Sequence, residues 1–254
     1  MSQIYRQLDS LAAYRRPDRL ASLLLPGCCV LCRMPLQSHQ LCSTCWSGLA
    51  LLTPPLCQIC GRPQPYATPD GICSICSLRP PVFRTIRAVC RYNQISRQLL
   101  TGYKHAGKLD RTPLFGRLCL PLFDMMATTN MLVVPVPLHR IRYLMRGYNQ
   151  SAELARWLTG HMSGSNTDIE FAPNLLMRRI HTPSMAGKNK QARARNVRRA
   201  FAVNTEFPDS WKDRPIMLID DVMTTGATLQ SCADTFISSG HKNTISALVF
   251  ARVL

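Results

Sequence analysis

Residues 216–229 read I-M-L-I-D-D-V-M-T-T-G-A-T-L, and this segment constrains the fold more than any other part of the chain. It starts with consecutive apolar residues that do not alternate with polar ones, which predicts a central parallel strand that is covered on both faces. The run ends at an acid pair, Asp220 and Asp221, and a turn rich in Thr follows before a helical pattern begins. The segment therefore predicts a strand, a loop and a helix start in an α/β fold.

The chemistry of this turn suits a phosphorylated sugar. Ligands of open α/β sheets bind beyond the carboxyl ends of the strands, where backbone N–H groups at a helix N-terminus attract an anion. Three threonine hydroxyls add donors, and Gly226 permits a close approach and a positive φ. The acid pair would repel a phosphate but accepts hydrogen bonds from ribose hydroxyls. We therefore expect a ribose 5-phosphate site.

The segment resembles the phosphoribosyl pyrophosphate (PRPP) motif of type I phosphoribosyltransferases, in which apolar residues precede an acid pair and a T-T-G-x-T-like loop. The resemblance implies that Asp220 and Asp221 bind ribose. It implies that the 5-phosphate is wrapped by Val222, Met223, Thr224, Thr225, Gly226, Ala227 and Thr228. Two alternatives are less specific, because a P-loop needs a Lys that is missing here and a plain βα turn uses Asp only as a helix cap.

The chain is strongly basic, with 31 Lys and Arg against 14 Asp and Glu and a net charge of +17. This excess favours polyanionic partners, such as nucleic acid, pyrophosphate or a membrane surface, but does not define a fold. No apolar stretch approaches the roughly 18 residues that span a bilayer, so no membrane insertion is expected. We expect a cytoplasmic protein, in which paired cysteines bind metal more often than they form disulfides.

Nine of the twelve cysteines fall within residues 28–76, and eight of them form four C-x-x-C knuckles. Two knuckles complete one tetrahedral, structural zinc site. Sequential pairing predicts one site at Cys29, Cys32, Cys42 and Cys45 and another at Cys57, Cys60, Cys73 and Cys76. A cross-braced pairing satisfies the same spacing, and Cys28 is an alternative ligand to Cys29. Redox or disulfide roles are disfavoured because four knuckles follow one another without a βαβ pattern.

Hydrophobic periodicity predicts the remaining elements. Strands are predicted at 86–92, 131–134, 175–180, 201–203 and 244–251, and helices at 10–25, 95–103, 112–126 and 228–239. Cys90, Cys119 and Cys232 lie in apolar surroundings and are predicted to be small core residues.

Two segments offer positive charge to an anion. The first is a stiff loop that begins at Pro135 and contains Arg140, Arg142 and Arg146 before a helix start at Ser151. Guanidiniums beside a helix N-terminus form an anion site, although a solvated basic loop shows the same pattern. The second, at 178–199, contains eight Lys or Arg and no acid. Because it lacks an apolar face, it is interpreted as a mobile loop or as a solvated face.

Together these features resemble the ComF/GntX family over nearly the whole chain. The resemblance is carried by the four knuckles, V-P-V-P-L at 134–138, R-G-Y-N-Q at 146–150, Thr182 with Arg193 and Asn196, and L-I-D-D-V-M-T-T-G-A-T at 218–228. It implies a type I phosphoribosyltransferase-like α/β fold, with a mainly parallel sheet flanked by helices and a small N-terminal zinc-ribbon module in the position of the acceptor-binding hood. The implied division is a helical segment at 1–27, a double zinc ribbon at 28–80 and a phosphoribosyltransferase-like domain at 81–254.

The resemblance also implies ligands and site residues. PRPP would bind with Mg²⁺, while two Zn²⁺ ions would be structural. The residues implied for pyrophosphate binding are Pro137, Leu138, His139, Arg146, Gly147, Asn149 and Gln150. A flexible loop with Thr182, Arg193 and Asn196 would close over the pyrophosphate. Met185 and Lys188 stand where the family's loop usually carries Gln and Leu, which removes the polar contact of that glutamine.

The implied function is that of a PRPP-binding, phosphoribosyltransferase-like protein acting in DNA uptake, natural competence or the use of external DNA as a nutrient. Its reaction would displace pyrophosphate at the anomeric carbon, but the sequence names neither an acceptor nor a general base. The alternative is a non-catalytic, single-stranded DNA-binding accessory protein that works with other competence proteins. The basic segment favours this alternative, whereas an aromatic content of only 7% offers few stacking faces.

Overall fold

The computed structural model describes residues 27–37, 40–104, 109–162, 168–179 and 200–254. The strands are β1 (Thr85–Arg91), β2 (Leu132–Pro135), β3 (Glu170–Phe171), β4 (Leu176–Arg178), β5 (Phe201–Val203), β6 (Ile216–Met223) and β7 (Ile245–Arg252). The helices are α1 (Ser43–Ser47), α2 (Ser74–Leu78), α3 (Gln94–Lys104), α4 (Thr112–Met126), α5 (Arg140–Arg146), α6 (Gln150–His161) and α7 (Ala227–Ser238). Short 3₁₀ turns occupy Leu109–Arg111 and Asp209–Trp211.

A five-stranded sheet with the order β1-β7-β6-β2-β3 forms the centre of the fold. Every neighbouring pair in it is parallel, while β4 and β5 form a separate antiparallel pair. From β2 the chain goes outward to β3, whereas from β6 it goes the opposite way to β7. The order therefore reverses between β2 and β6, and such a reversal opens a crevice at the carboxyl ends of the strands.

Both faces of this sheet are covered. On one face, Met217 and Ile219 of β6 belong to the core that contains residues of α4 and α6. On the other face, Ile216 and Leu218 pack in the core that contains Leu229 and other residues of α7. Burial on both faces explains why the strand is apolar without alternation. The mainly parallel sheet with flanking helices confirms the predicted fold class.

The structure corrects the predicted end of β6. The strand does not stop at the acid pair but continues to Met223. Its pairing with β7 continues from Asp220 opposite Val249 to Met223 opposite Arg252, because the partner strand is itself eight residues long and fully buried. The two carboxylates are therefore carried by a central strand and not by the loop that follows it.

A second difference concerns residues 140–146, which the sequence predicts as a loop and which form helix α5. The ring nitrogen Nδ1 of His139 accepts a hydrogen bond from the Ile141 N–H at 3.2 Å and caps the start of the helix. Gly147 ends it with a left-handed φ of 79°. The predicted helix at 10–25 lies outside the described residues.

The cysteine-rich segment packs along the free edge of β1. The Leu52 N–H donates to the Val89 carbonyl at 3.0 Å, and the Arg91 N–H donates to the Ala50 carbonyl at 2.8 Å. A short antiparallel bridge therefore covers an edge that would otherwise expose unpaired N–H and C=O groups. Across the parts of the chain that the structure describes, no helix combines the length and apolar character needed to cross a membrane.

Gly61 brings the second half of this segment into close contact with β1. The Ile86 N–H donates to the Ile59 carbonyl at 2.6 Å. A Cβ added to Gly61 would lie 2.5 Å from the Ile86 carbonyl oxygen, and the φ of Gly61 is +67°. Only glycine combines this approach with this backbone conformation without strain.

Gly61→Ala is expected to lower the free energy of unfolding by about 1–3 kcal/mol, because the new methyl group meets a carbonyl and φ is positive. Urea denaturation measures the change. Gly160→Ala is the matched control, since Gly160 is helical and a Cβ there would meet nothing within 4 Å. That control should be neutral or stabilising by about 0.5–1 kcal/mol. Equal losses in both variants would contradict the close approach of Gly61 to β1.

Candidate functional site

A cleft of about 380 Å³ opens at the carboxyl ends of β2 and β6, where the strand order reverses. It is lined by Tyr92, Lys104, Val136, Pro137, Leu138, Arg142, Arg146, Gln150, Arg178, Asp220, Asp221, Val222, Thr224 and Thr228. The acid pair of β6 and the loop at 136–139 after β2, here called the proline loop, thus meet in one cavity, although they are distant in sequence.

Some of the residues predicted from the sequence line the cleft, and others cap the helices beside it. Pro137, Leu138, Arg146 and Gln150 line the cleft, while three other residues of that segment have capping roles. His139 and Gly147 bound helix α5, and Asn149 caps α6 by accepting from the Ser151 N–H at 3.1 Å and donating to the Val136 carbonyl at 3.1 Å. The predicted flexible-loop residues Thr182, Arg193 and Asn196 lie outside the described part of the chain.

Asp221 is held by a cation and an amide. Its Oδ2 lies 2.6 Å from the Lys104 Nζ and accepts a hydrogen bond from the Gln150 Nε2 at 3.1 Å. The other end of the Gln150 side chain accepts from the Arg146 Nη1 at 3.0 Å. Gln150 is almost fully buried, so its amide rigidly connects the Arg146 guanidinium of α5 to the acid pair.

Asp220 has a different environment from Asp221. Its Oδ1 accepts from the Ser151 hydroxyl at 3.2 Å and from the Asp221 N–H at 2.9 Å. Burial and the neighbouring Asp221 carboxylate raise the pKa of Asp220 from 3.8 to about 7, although the Asp221 N–H, Lys104 and Ser151 oppose the rise. A carboxyl group with a pKa near neutrality can accept hydrogen bonds from hydroxyls and can also exchange a proton at physiological pH.

The start of α7 presents N–H groups beside the acid pair. Gly226 occupies the N-cap position with a φ of 79° and provides no side-chain cap. The Thr225 hydroxyl accepts from the Ala227 N–H at 3.3 Å, and the helix continues for 12 residues. The positive end of this helix adjoins the cleft through Thr228, which makes this end of the cleft favourable for an anion.

Four cationic side chains face the two carboxylates in the cleft: Lys104, Arg142, Arg146 and Arg178. Burial lowers the pKa of Arg178, and the nearby Arg142 lowers it further, while Asp220 acts in the opposite direction. The Arg178 guanidinium also lies over the Phe201 ring, 5.4 Å from its centroid. The excess of positive charge suits a ligand that carries several negative charges.

Sequence reasoning missed Lys104 and Ser151 as site residues. Lys104 directly follows the helix predicted at 95–103, and Ser151 is predicted only as a helix start. The sequence contains no signal that brings either residue to β6, because both contacts depend on how α3 and α6 pack on the sheet.

The cysteine knuckles form two clusters with the predicted sequential pairing. Cys29, Cys32, Cys42 and Cys45 form one cluster, and Cys57, Cys60, Cys73 and Cys76 form the other, with the sulfur atoms of each cluster within 4.8 Å of one another. Cys28 belongs to neither and instead accepts from the Arg33 Nη1 at 3.8 Å. Cys90, Cys119 and Cys232 are fully buried in the cores, as predicted.

The thiol chemistry of both clusters fits a divalent cation. Burial raises the pKa of Cys29 and of Cys57, but hydrogen bonds from backbone N–H groups outweigh it and bring each pKa down to about 6. Burial and the neighbouring thiols raise the pKa of Cys45 to about 12. Four sulfur atoms so close together can all be thiolates only with a cation between them, and four-cysteine sites without an open position are typical of structural zinc.

Comparison with known proteins supports the zinc assignment and identifies the family. A family model described as a double zinc ribbon domain matches residues 20–77. Competence protein F of Haemophilus influenzae is 30% identical over 216 residues, which cover 79% of this chain and 86% of that protein. The chain belongs to the ComF family. The matched domain and the two cysteine clusters support two structural zinc ions in this ComF protein.

Other relatives agree with this assignment. DNA utilization protein YhgH of Salmonella typhimurium is 30% identical over 225 residues, covering 86% of this chain and 94% of the relative. Competence protein ComFC of Bacillus subtilis is 26% identical over 221 residues, covering 84% and 85% respectively. Among solved structures, a hypoxanthine phosphoribosyltransferase from Staphylococcus aureus aligns with a TM-score of 0.29 and 13% identity, over 57% of this chain and 73% of that chain.

Metal analysis of protein purified without chelator is expected to find about two zinc ions per chain, one for each cluster. Cys29→Ser should lower the content by about one ion, because a buried thiolate ligand is removed. Cys28→Ser should retain both ions, since Cys28 lies outside the cluster. Loss of zinc from the Cys28 variant with retention in the Cys29 variant would contradict the observed ligand set.

Asp220→Asn is expected to stabilise the protein above neutral pH. The folded-state pKa of Asp220 is raised to about 7, so stability present at low pH is lost as the pH rises through that value. Asparagine keeps the shape and removes the charge, and it should raise stability by roughly 1–3 kcal/mol at about pH 8 and by less at about pH 5. Thermal denaturation at the two pH values measures the difference.

The exposed Asp168 provides the control for this measurement. Asp168→Asn should leave the difference in Tm between the two pH values unchanged, because no buried charge is removed. A gain from Asp220→Asn that is the same at both pH values, or no gain at either, would contradict the raised pKa of Asp220.

Proposed function

We propose that this ComF protein binds PRPP in the cleft at the carboxyl ends of β2 and β6. The observation that carries the proposal is the meeting of the acid pair, the N-terminus of α7 and the cationic helix α5 around one cavity. A carboxylate pair for ribose, N–H donors for a monophosphate and guanidiniums for a diphosphate together match the three chemical parts of PRPP.

The loop after β6 is proposed to hold the 5-phosphate. Its members are Val222, Met223, Thr224, Thr225, Gly226, Ala227 and Thr228. The Thr224 and Thr228 side chains line the cleft, and Gly226, the N-cap of α7, has no side chain to obstruct the helix end, where the Thr225 hydroxyl accepts from the Ala227 N–H. Both hydroxyl and backbone N–H groups can therefore donate to phosphate oxygens.

The acid pair is proposed to accept the ribose hydroxyls. The Oδ2 of Asp221 is already engaged by Lys104 and Gln150, and the Oδ1 of Asp220 by Ser151 and the Asp221 N–H, so the second oxygen of each carboxylate is proposed as the acceptor for ribose. Because carboxylates accept more strongly than carboxylic acids, ribose binding should strengthen as the pH rises through the pKa of Asp220, about 7.

Pyrophosphate is proposed to bind between the proline loop and α5. The residues assigned to it from the sequence are Pro137, Leu138, His139, Arg146, Gly147, Asn149 and Gln150, of which His139, Gly147 and Asn149 act through helix capping. Lys104 and Arg142, which line the same cleft, add two cations to this subsite. Mg²⁺ would accompany PRPP on phosphate, ribose and water oxygens, since it needs few protein ligands.

If a suitable acceptor enters, the reaction displaces pyrophosphate from the anomeric carbon of PRPP. Arg142, Arg146 and Lys104 would stabilise the negative charge on the leaving pyrophosphate, as positioned cations do in phosphate chemistry. The loop with Thr182, Arg193 and Asn196 is proposed to close over the site and exclude water. We also propose the division into segments 1–27, 28–80 and 81–254.

The cellular role is inferred from the relatives, whose names refer to competence and DNA utilization. We infer that the chain acts in DNA uptake or in the use of external DNA, together with competence proteins. Binding of single-stranded DNA is the second candidate function, and the net charge of +17 favours it through attraction to the phosphate backbone. The two functions are compatible if they use separate sites.

Calorimetric titration can test the two halves of the cleft separately, with ribose 5-phosphate and pyrophosphate as probes. The double variant Asp220→Asn with Asp221→Asn should weaken ribose 5-phosphate binding by about tenfold or more, because charge-assisted hydrogen bonds to the hydroxyls are removed. Arg146→Ala should weaken pyrophosphate binding by a similar factor, about tenfold, and leave ribose 5-phosphate less affected. Normal binding of ribose 5-phosphate by the double variant would contradict the assignment of the ribose hydroxyls to the acid pair.

A further inference from the structure

A second cavity lies at the opposite end of the sheet from the cleft. It has a volume of about 470 Å³ and is formed where the second zinc ribbon meets the amino ends of β1 and β7 and the end of α4. Its polar lining consists of Gln58, Arg84, Thr85, Arg87, Thr128 and Ser246. We call it the junction pocket. None of the residues assigned to PRPP lines it.

The charge of the junction pocket is positive. Arg84 and Arg87 contribute two guanidiniums, and within the described ranges no carboxylate lines the pocket and neither arginine forms an ion pair with a carboxylate. Helix α4 ends beside it at Met126, and its carbonyls carry roughly half a negative charge. Two full positive charges outweigh this opposing dipole, so the pocket favours an anion.

Contacts with the second zinc ribbon, which carries the cluster of Cys57, Cys60, Cys73 and Cys76, hold polar groups of the pocket in place. The Arg87 Nη1 donates to the Ile86 carbonyl at 2.8 Å and to the Cys57 carbonyl at 3.4 Å, which leaves its other guanidinium donors for a ligand. The Thr85 hydroxyl donates to the Gln58 carbonyl at 3.0 Å. These contacts join β1 to a knuckle of the second cluster, so the donors are positioned before a ligand arrives.

We propose that the junction pocket binds a phosphate group, presented as a phosphodiester of single-stranded nucleic acid, an inference that rests on the second candidate function, the binding of single-stranded DNA. Arginine matches phosphate oxygens with paired donors, and Arg84 is exposed at the rim, where a backbone can reach it. Ile59 and the half-exposed Met125 give the same pocket an apolar side, against which a sugar or base packs. A nucleotide can use both the arginines and the apolar side of the pocket, whereas free phosphate can use only the arginines.

The test measures anisotropy of a fluorescein-labelled oligothymidine and calorimetric titration with inorganic phosphate, using the full zinc-loaded chain. Arg84→Glu should weaken oligothymidine binding by about fivefold or more. It should also reduce the slope of log affinity against log salt by about 0.7 for each phosphate that the variant no longer neutralises. Arg84→Lys should recover most of the affinity, because the charge is retained.

Arg97→Glu is the matched control, since Arg97 is exposed on α3 and lines neither cavity. It makes the same charge change and should weaken oligothymidine binding by less than about twofold. The double variant of Asp220 and Asp221 should retain oligothymidine binding, which keeps this proposal separate from the proposed PRPP site.

The outcomes separate the two sources of phosphate. If Arg84→Glu weakens oligothymidine binding and Arg97→Glu does not, the phosphodiester is supported as the occupant. Weakening restricted to inorganic phosphate supports a phosphate site and overturns nucleic acid as its occupant. If Arg84→Glu and Arg97→Glu behave alike with both probes, the junction pocket is not a phosphate site.

Discussion

The parallel hydrogen-bonded ladder between β6 and its neighbours β2 and β7 is the constraint on which the rest of the structure depends. Because pairing with β7 continues past the acid pair to Met223, the two carboxylates lie on a central strand that is paired on both sides. The same ladder aligns the proline loop after β2 with the start of α7 after β6. A buried, paired strand thus brings groups of opposite charge together with little freedom to rearrange.

The electrostatics of the cleft follow from that placement. On this buried strand the Asp221 carboxylate disfavours the charged form of Asp220, and Lys104, Gln150 and Ser151 contact the acid pair. Gln150 also accepts from Arg146, so the acid pair and helix α5 form one hydrogen-bonded network. Such strain between like charges is typical of ligand sites, where stability is given up for function.

The sequence predicted the elements that depend on local pattern. Helix α4 and strand β5 have the predicted bounds, and the apolar run of β6 is buried as expected. Spacing alone left two zinc pairings open, because each knuckle contributes the same two thiolates to either arrangement. The extension of β6 to Met223 depends on the length of β7, and the Lys104 contact with Asp221 depends on helix packing. Neither is visible in local sequence.

The central claim is that one cleft binds all three parts of PRPP. Electron density from crystals soaked with PRPP and Mg²⁺ tests it most directly. We predict the 5-phosphate at the N-terminus of α7, the ribose hydroxyls at Asp220 and Asp221, and the pyrophosphate beside Arg146 and Lys104. Density for PRPP elsewhere, or an empty cleft at saturating ligand in crystals where the cleft is open to solvent, would contradict the claim.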